Sequence, residues 1–111
     1  MNKELEAVKK KASELESQMS DPGVISDSRK MKQLAREYAA VKEAIDISKE
    51  LDSVRSHIAE AEVEAKTSKD LEMVTMAEEE LVGLRSKEAR LASELEEALI
   101  PPDPMDSRNI I

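Results

Sequence analysis

Apolar residues recur at alternating intervals of three and four along three stretches of this 111-residue chain. On a helix, such residues occupy the a and d positions of a heptad repeat and form a narrow seam that packs against another helix. The pattern predicts helices over residues 2–20, 27–66 and 70–100. The three seams are Leu5, Val8, Ala12, Leu15 and Met19; then Met31, Leu34, Tyr38, Val41, Ile45, Leu51, Val54, Ile58, Ala61 and Ala65; then Val74, Ala77, Leu81, Leu84, Leu91, Leu95 and Ala98.

The connections between the three predicted helices are short, so successive helices must pack antiparallel. We therefore predict an all-α fold, an antiparallel three-helix bundle or coiled-coil hairpin with a shorter first helix. That first helix covers about half of the second, because each residue adds about 1.5 Å to a helix. Residues 1–100 form one N-terminal helical domain in this interpretation.

The first connection contains Pro22 and Gly23, the residue types that favour the two central positions of a type II turn. We expect Val24 and Ile25 to be buried beneath that turn. Ser26 or Asp27 is a suitable N-cap for the second helix. At the second connection, Thr67 and Asp70 have capping-box spacing, and Asp70 is an alternative N-cap.

The second seam contains one irregularity. After Ile45 the repeat reaches Ser48, which is polar, and apolar residues resume at Leu51. The two successive intervals of three residues, from Ile45 to Ser48 and from Ser48 to Leu51, mark a stammer. A stammer overwinds a coiled coil locally or accompanies a change of packing partner. No glycine or proline occurs between residues 26 and 66, so we predict one continuous helix there.

Composition excludes several classes of protein. The chain has no cysteine, so it has neither disulfides nor thiolate metal sites, and no run is long and apolar enough to suggest a membrane span. A cytoplasmic protein is expected. The net charge is −8, and residues 67–100 carry four basic and nine acidic residues. Because nucleic-acid binding needs clustered cations, we expect protein partners and no direct nucleic-acid site.

No catalytic, cofactor-binding or metal-binding set can be assembled from these residues, and the chain is not expected to be an enzyme. His57 is the only histidine, and we expect it on the flank of the second helix. The acidic run at residues 78–80 is interpreted as a solvated helix face, and the lysines at residues 9–11 lie among glutamates. Met73 and Met76 flank the predicted hairpin end, where they suit flexible packing or a partner contact.

Three prolines at positions 101, 102 and 104 interrupt the helical pattern. Proline lacks a backbone N–H and favours extended geometry in the residue before it. We therefore expect residues 101–111 to be a linker into a further domain, whose apolar start is Ile110 and Ile111.

Three segments of the chain, taken in sequence order, carry a family resemblance. They are Met19-Ser20-Asp21-Pro22-Gly23-Val24-Ile25-Ser26-Asp27 with Leu34-Ala35-Arg36-Glu37-Tyr38-Ala39; Asp70-Leu71-Glu72-Met73 with Met76-Ala77-Glu78-Glu79-Glu80-Leu81; and the exit from Leu99 through the prolines to Ile111. Together they resemble the release factor 1 family of bacterial class I peptide chain release factors. Leu71 departs from the resemblance, because that family often has proline at this position.

The resemblance implies a role in translation termination. Factors of this family read the stop codons UAA and UAG and trigger hydrolysis of peptidyl-tRNA, using a tripeptide codon-reading loop and a Gly-Gly-Gln loop. Neither loop is present here, since the only glycines, Gly23 and Gly83, are 60 residues apart and no proline is followed two residues later by threonine. The resemblance therefore implies an accessory, protein-facing domain whose partners are the ribosome, at a stalk-base protein of the large subunit, and a recycling GTPase factor.

Two other functions are compatible with the residues. A homo-oligomeric structural coiled coil needs a second apolar stripe, for which Ile47, Val82 and Leu99 are scattered candidates. A chaperone-like helical hairpin needs an exposed apolar end, and Val63, Met73 and Met76 are near such an end.

Overall fold

The computed structural model describes residues 2–100, and the side chain of Asn2 is not described. Four helices occur in this range: α1 (Asn2–Met19), α2 (Pro22–Ile25), α3 (Ser28–Thr67) and α4 (Leu71–Leu99). Over these residues the structure is 92% helical and contains no strand, which confirms the all-α prediction. The predicted linker, residues 101–111, lies outside the described residues.

Two compact units divide the described chain. The first is built from residues 2–45 and 96–100, and the second from residues 46–95. Helix α3 contributes to both units and runs without interruption from Ser28 to Thr67, which confirms the predicted continuity through residues 45–51.

A small apolar core holds α1, α2 and the first part of α3 together in the first unit. Its buried residues are Leu15, Val24 and Leu34, one from each of these helices, and partly buried Met19, Met31, Tyr38 and Val41 pack against them. The hydroxyl of Tyr38 donates to Glu16 Oε2 at 2.6 Å, so the only aromatic ring is packed at its body and satisfied at its tip. Lys11 also pairs with Glu37 at 3.9 Å.

The predicted type II turn at Pro22 and Gly23 is wrong. These residues begin α2, a single helical turn, and among the described residues no glycine has a positive φ. Asp21 Oδ1 accepts from the Gly23 N–H at 2.8 Å and so acts as N-cap. Proline at the first helical position loses no intrahelical hydrogen bond, which is why Asp-Pro starts a helix here. Val24 is buried as expected, but Ile25 is 57% exposed.

Asp27 is the residue that caps α3, because its Oδ1 accepts from the Lys30 N–H at 3.2 Å. Further along α3, Ala44 and Ser48 are buried together with Leu51, so the buried seam includes Ser48 and does not skip it. Serine has a small side chain, which lets it occupy a buried seam position without disturbing the packing around it. No buried side-chain nitrogen or oxygen in the described chain lacks a hydrogen-bond partner.

In the second unit, α3 and α4 form the predicted antiparallel hairpin. Two ion pairs show the direction, since Arg55 pairs with Glu88 and Glu62 with Arg85, each at 3.0 Å. Glu88 stands where the repeat predicts an apolar residue, and its pairing with Arg55 explains how a half-buried carboxylate is accommodated there. The buried apolar residues of this unit are Leu51, Val54, Ala61, Ala77, Leu81, Leu91 and Leu95.

Candidate protein-binding site

Exposed apolar side chains are concentrated where α3 ends and α4 begins. Leu71 is 81% exposed, Met76 is 62% exposed and Val63 is 60% exposed, and Met73 lies between the first two. We call these four residues the hairpin-end patch. The patch lies wholly within the second unit. Two of the four, Leu71 and Met76, lie together because they line one open groove. Exposed large apolar side chains that lie together, on a chain that is 38% charged, indicate a surface for a partner.

Local hydrogen bonds hold the connection that presents this patch. Asp70 Oδ1 accepts from the Glu72 N–H at 2.9 Å, which makes Asp70 the N-cap of α4. The Ser68 N–H donates to the Glu64 carbonyl at 3.0 Å and closes the last turn of α3. Thr67 instead donates its hydroxyl to the Val63 carbonyl at 2.7 Å, so the capping role falls to Asp70 alone. Leu71 is therefore fixed at the first helical position with its side chain outward.

An open groove of about 390 Å³ runs along the start of α4. Leu71, Glu72, Thr75 and Met76 line it. Leu71 and Thr75 are one turn apart, as are Glu72 and Met76, so the four side chains share one broad face of the helix. The methionine is unbranched and polarizable and adapts its shape to an apolar group placed against it. This open face offers a contact area for an apolar side chain of another protein.

The surroundings of the patch are acidic. Residues 62–80 contain seven acidic and two basic residues, a net charge of −5. An apolar patch with an acidic rim fits a partner surface that offers an apolar side chain surrounded by lysines and arginines, because complementary charges speed and orient association.

The single histidine, the acidic run and the lysine run lie on exposed helix surfaces. His57 and Glu78, Glu79 and Glu80 are all exposed, as are the lysines at residues 9–11. Across residues 2–100, no group of three or more histidine, cysteine, aspartate or glutamate side chains is arranged to hold a metal ion. The partner contact suggested for Met73 and Met76 remains a prediction.

Leu71 is the patch residue that the heptad analysis missed. It lies off the third seam, so periodicity gave no reason to notice it. Two of the three stripe candidates for self-assembly, Ile47 and Leu99, are half-buried, and only Val82 is exposed.

Comparison with known proteins identifies the family. The model of the PCRF domain family matches residues 8–111. The chain belongs to the PCRF domain family. Peptide chain release factor 1 of Bacillus anthracis is 34% identical over 107 residues, which are 96% of this chain and 30% of that protein. Peptide chain release factor 1 of Geobacillus sp. strain WCH70 is 34% identical over 111 residues, which are 100% of this chain and 31% of that protein.

The PCRF match covers nearly the whole chain, but the chain spans only about 30% of the length of these curated relatives. No solved structure matches it significantly. Among the helices of residues 2–100, none has the length and apolar character needed to cross a membrane.

Proposed function

We propose that this PCRF chain is the N-terminal accessory domain of a cytoplasmic release factor that reads UAA and UAG and acts in translation termination. The family match and the similarity to release factor 1 of several bacilli support this proposal. Within that factor, the domain serves association and not peptide release, because the chain contains no Gly-Gly-Gln sequence.

The hairpin-end patch is the observation that carries the proposed role. Its apolar side chains and the groove beside Leu71 and Met76 provide the contact, and the acidic rim selects a basic partner. The partner we propose is the ribosome, at a stalk-base protein of the large subunit. A recycling GTPase factor is a second partner that would use the domain at a different stage of termination.

Binding of the 111-residue chain to large ribosomal subunits tests this role. The double variant Leu71→Gln, Met76→Gln makes the patch polar without changing the net charge. We expect its affinity for the subunit, measured by co-sedimentation, to fall at least tenfold, since a hot-spot side chain contributes about 2 kcal/mol or more.

The matched control is Ile25→Gln, Val82→Gln, which changes two exposed apolar residues away from the patch, on α2 and on the body of α4. It should bind within about twofold of the unchanged chain, as surface substitutions away from a contact have small effects. Equal binding by the patch variant and the control variant would show that the hairpin end is not the contact. Self-association of the unchanged chain that the patch variant abolishes would assign the patch to a second copy instead.

A further inference from the structure

The start of α3 carries a cluster of positive charge that the overall net charge of −8 conceals. Residues 28–36 contain four basic residues and no acidic one. All four are exposed, and three of them, Arg29, Lys32 and Arg36, follow one another at intervals of three and four. We call these three residues the α3 basic face. All of them belong to the first unit.

Helix geometry places the three cations on one side of α3. At 3.6 residues per turn they fall within an arc of about 60°, and they span about 10 Å along the axis. This arc is opposite the side that carries Leu34 and Val41, which faces the core of the first unit. The basic face therefore points away from the residues that hold α3 in place.

These cations are unpaired, unlike several others in the protein. Arg55, Arg85 and Lys87 each hold a carboxylate across the hairpin at 3.0 to 3.4 Å. Within residues 2–100, none of the side chains of the basic face has an ion pair or a hydrogen bond. The nearest carboxylates in sequence have other roles, since Asp27 caps α3 and Glu37 pairs with Lys11. Glu43 lies on the same side of α3, two turns beyond Arg36, and its negative charge marks the end of the face.

The chemistry of the face favours phosphate groups over an acidic protein surface. Arginine presents a planar fork of donors that matches phosphate oxygens, and the positive end of the helix dipole adds to the attraction. A protein interface needs buried apolar or aromatic anchors. No large apolar residue is exposed between residues 28 and 62, so this face has cations without anchors. Contact with a phosphate backbone requires only the cations.

We propose that Arg29, Lys32 and Arg36 bind the phosphodiester backbone of duplex RNA, independently of base sequence. The choice of RNA rests on the proposed function, because a factor acting on the ribosome is surrounded by folded RNA. The acidic composition of residues 67–100 led us to expect no nucleic-acid site. The basic face departs from that expectation, since charges act over about 10 Å at ordinary salt and local charge governs a contact.

Binding of the 111-residue chain to a fluorescently labelled RNA duplex of roughly 20 base pairs tests the proposal, measured by fluorescence anisotropy from about 50 to about 200 mM salt. The triple variant Arg29→Gln, Lys32→Gln, Arg36→Gln removes the face. Its matched control, Lys49→Gln, Lys66→Gln, Lys69→Gln, removes the same charge from three exposed lysines of the second unit.

We expect the triple variant to lose at least tenfold in RNA affinity and the control less than threefold. The logarithmic salt slope should be smaller by about 2–3 in the triple variant, one unit for each lost phosphate contact. Circular dichroism should show that both variants remain helical. If the triple variant fails to fold, the double variant Arg29→Gln, Arg36→Gln takes its place and should reduce the salt slope by about 2.

Equal losses in the triple variant and the control would overturn the proposal, as would an absence of RNA binding by the unchanged chain. Binding of polyglutamate as tight as that of RNA would also overturn it and assign the face to an acidic protein. The patch variant Leu71→Gln, Met76→Gln should bind the duplex normally. A failure of RNA binding with patch-dependent ribosome binding intact therefore refutes only the basic face, and the reverse result refutes only the proposed patch contact.

Discussion

Truncation of Leu91 tests the packing of the second unit most severely. This side chain is 1% exposed and lies on the α4 seam. Leu→Ala removes three carbon atoms, and at about 0.8 kcal/mol for each buried methylene the transfer contribution is about 2.4 kcal/mol. The remaining cavity adds to this loss, and measured Leu→Ala substitutions in protein cores cost about 2.7–5.0 kcal/mol. We expect Leu91→Ala to lower the free energy of unfolding by about 3–4 kcal/mol.

Urea denaturation followed by far-UV circular dichroism measures this change. The matched control is Leu71→Ala, the same substitution on the same helix at a side chain that is 81% exposed. Its effect should lie within about 0.5 kcal/mol, as is usual for surface substitutions. Comparable losses from both variants would refute the assignment of Leu91 to the core and the register of α4.

Two further predictions concern residues that the structure places at the hairpin. Asp70→Ala removes the N-cap of α4 and should destabilise the protein by about 1 kcal/mol in the same urea experiment. Asp70→Asn keeps a capping oxygen and should retain most of the stability. An Asp70→Ala variant as stable as the unchanged chain would contradict the cap. A double-mutant cycle with Arg55→Gln and Glu88→Gln should give a coupling energy of about 0.5 kcal/mol that shrinks at high salt, because both side chains are partly exposed; a coupling that salt does not change would contradict this account of the pair.

The long helices were predictable because their heptad seams are nearly continuous. Leu15, Leu34, Leu81 and Leu95 recur on the seams and are buried in the structure. Their burial follows from periodicity alone, since a helix with one apolar stripe must cover it. The antiparallel hairpin followed in the same way from a connection too short for any other arrangement.

Details that depend on single positions were less predictable. Pro22 is compatible with either a turn or a helix start, and the hydrogen bond from Gly23 to Asp21 favoured the helix. Ser48 interrupts the apolar pattern of the sequence, yet its side chain is small and is buried in the structure. Residue type alone does not distinguish these outcomes.

The two candidate surfaces were also predictable from the sequence only in part. Met73 and Met76 were predicted near the hairpin end because the connection itself was predictable. The exposure of Leu71 depends on which residue caps α4, and the sequence offered both Thr67 and Asp70 for that position. The α3 basic face was hidden by averaging charge over long segments. Its identification required knowing that Arg29, Lys32 and Arg36 share a side of the helix and have no carboxylate partners.

The factor concentration that gives half the maximal rate of peptide release is the measurement that tests the central proposal most directly. A chimera can be made from release factor 1 of Geobacillus sp. strain WCH70 by replacing its matching segment with this chain. On ribosomes programmed with a stop codon, we predict a half-maximal concentration close to that of the parent factor. Leu71→Gln, Met76→Gln in the chimera should raise it at least tenfold and leave the maximal rate unchanged, because only association depends on the patch. A chimera with no better half-maximal concentration than a factor lacking the segment, or a patch variant that loses release at saturation, would contradict this account.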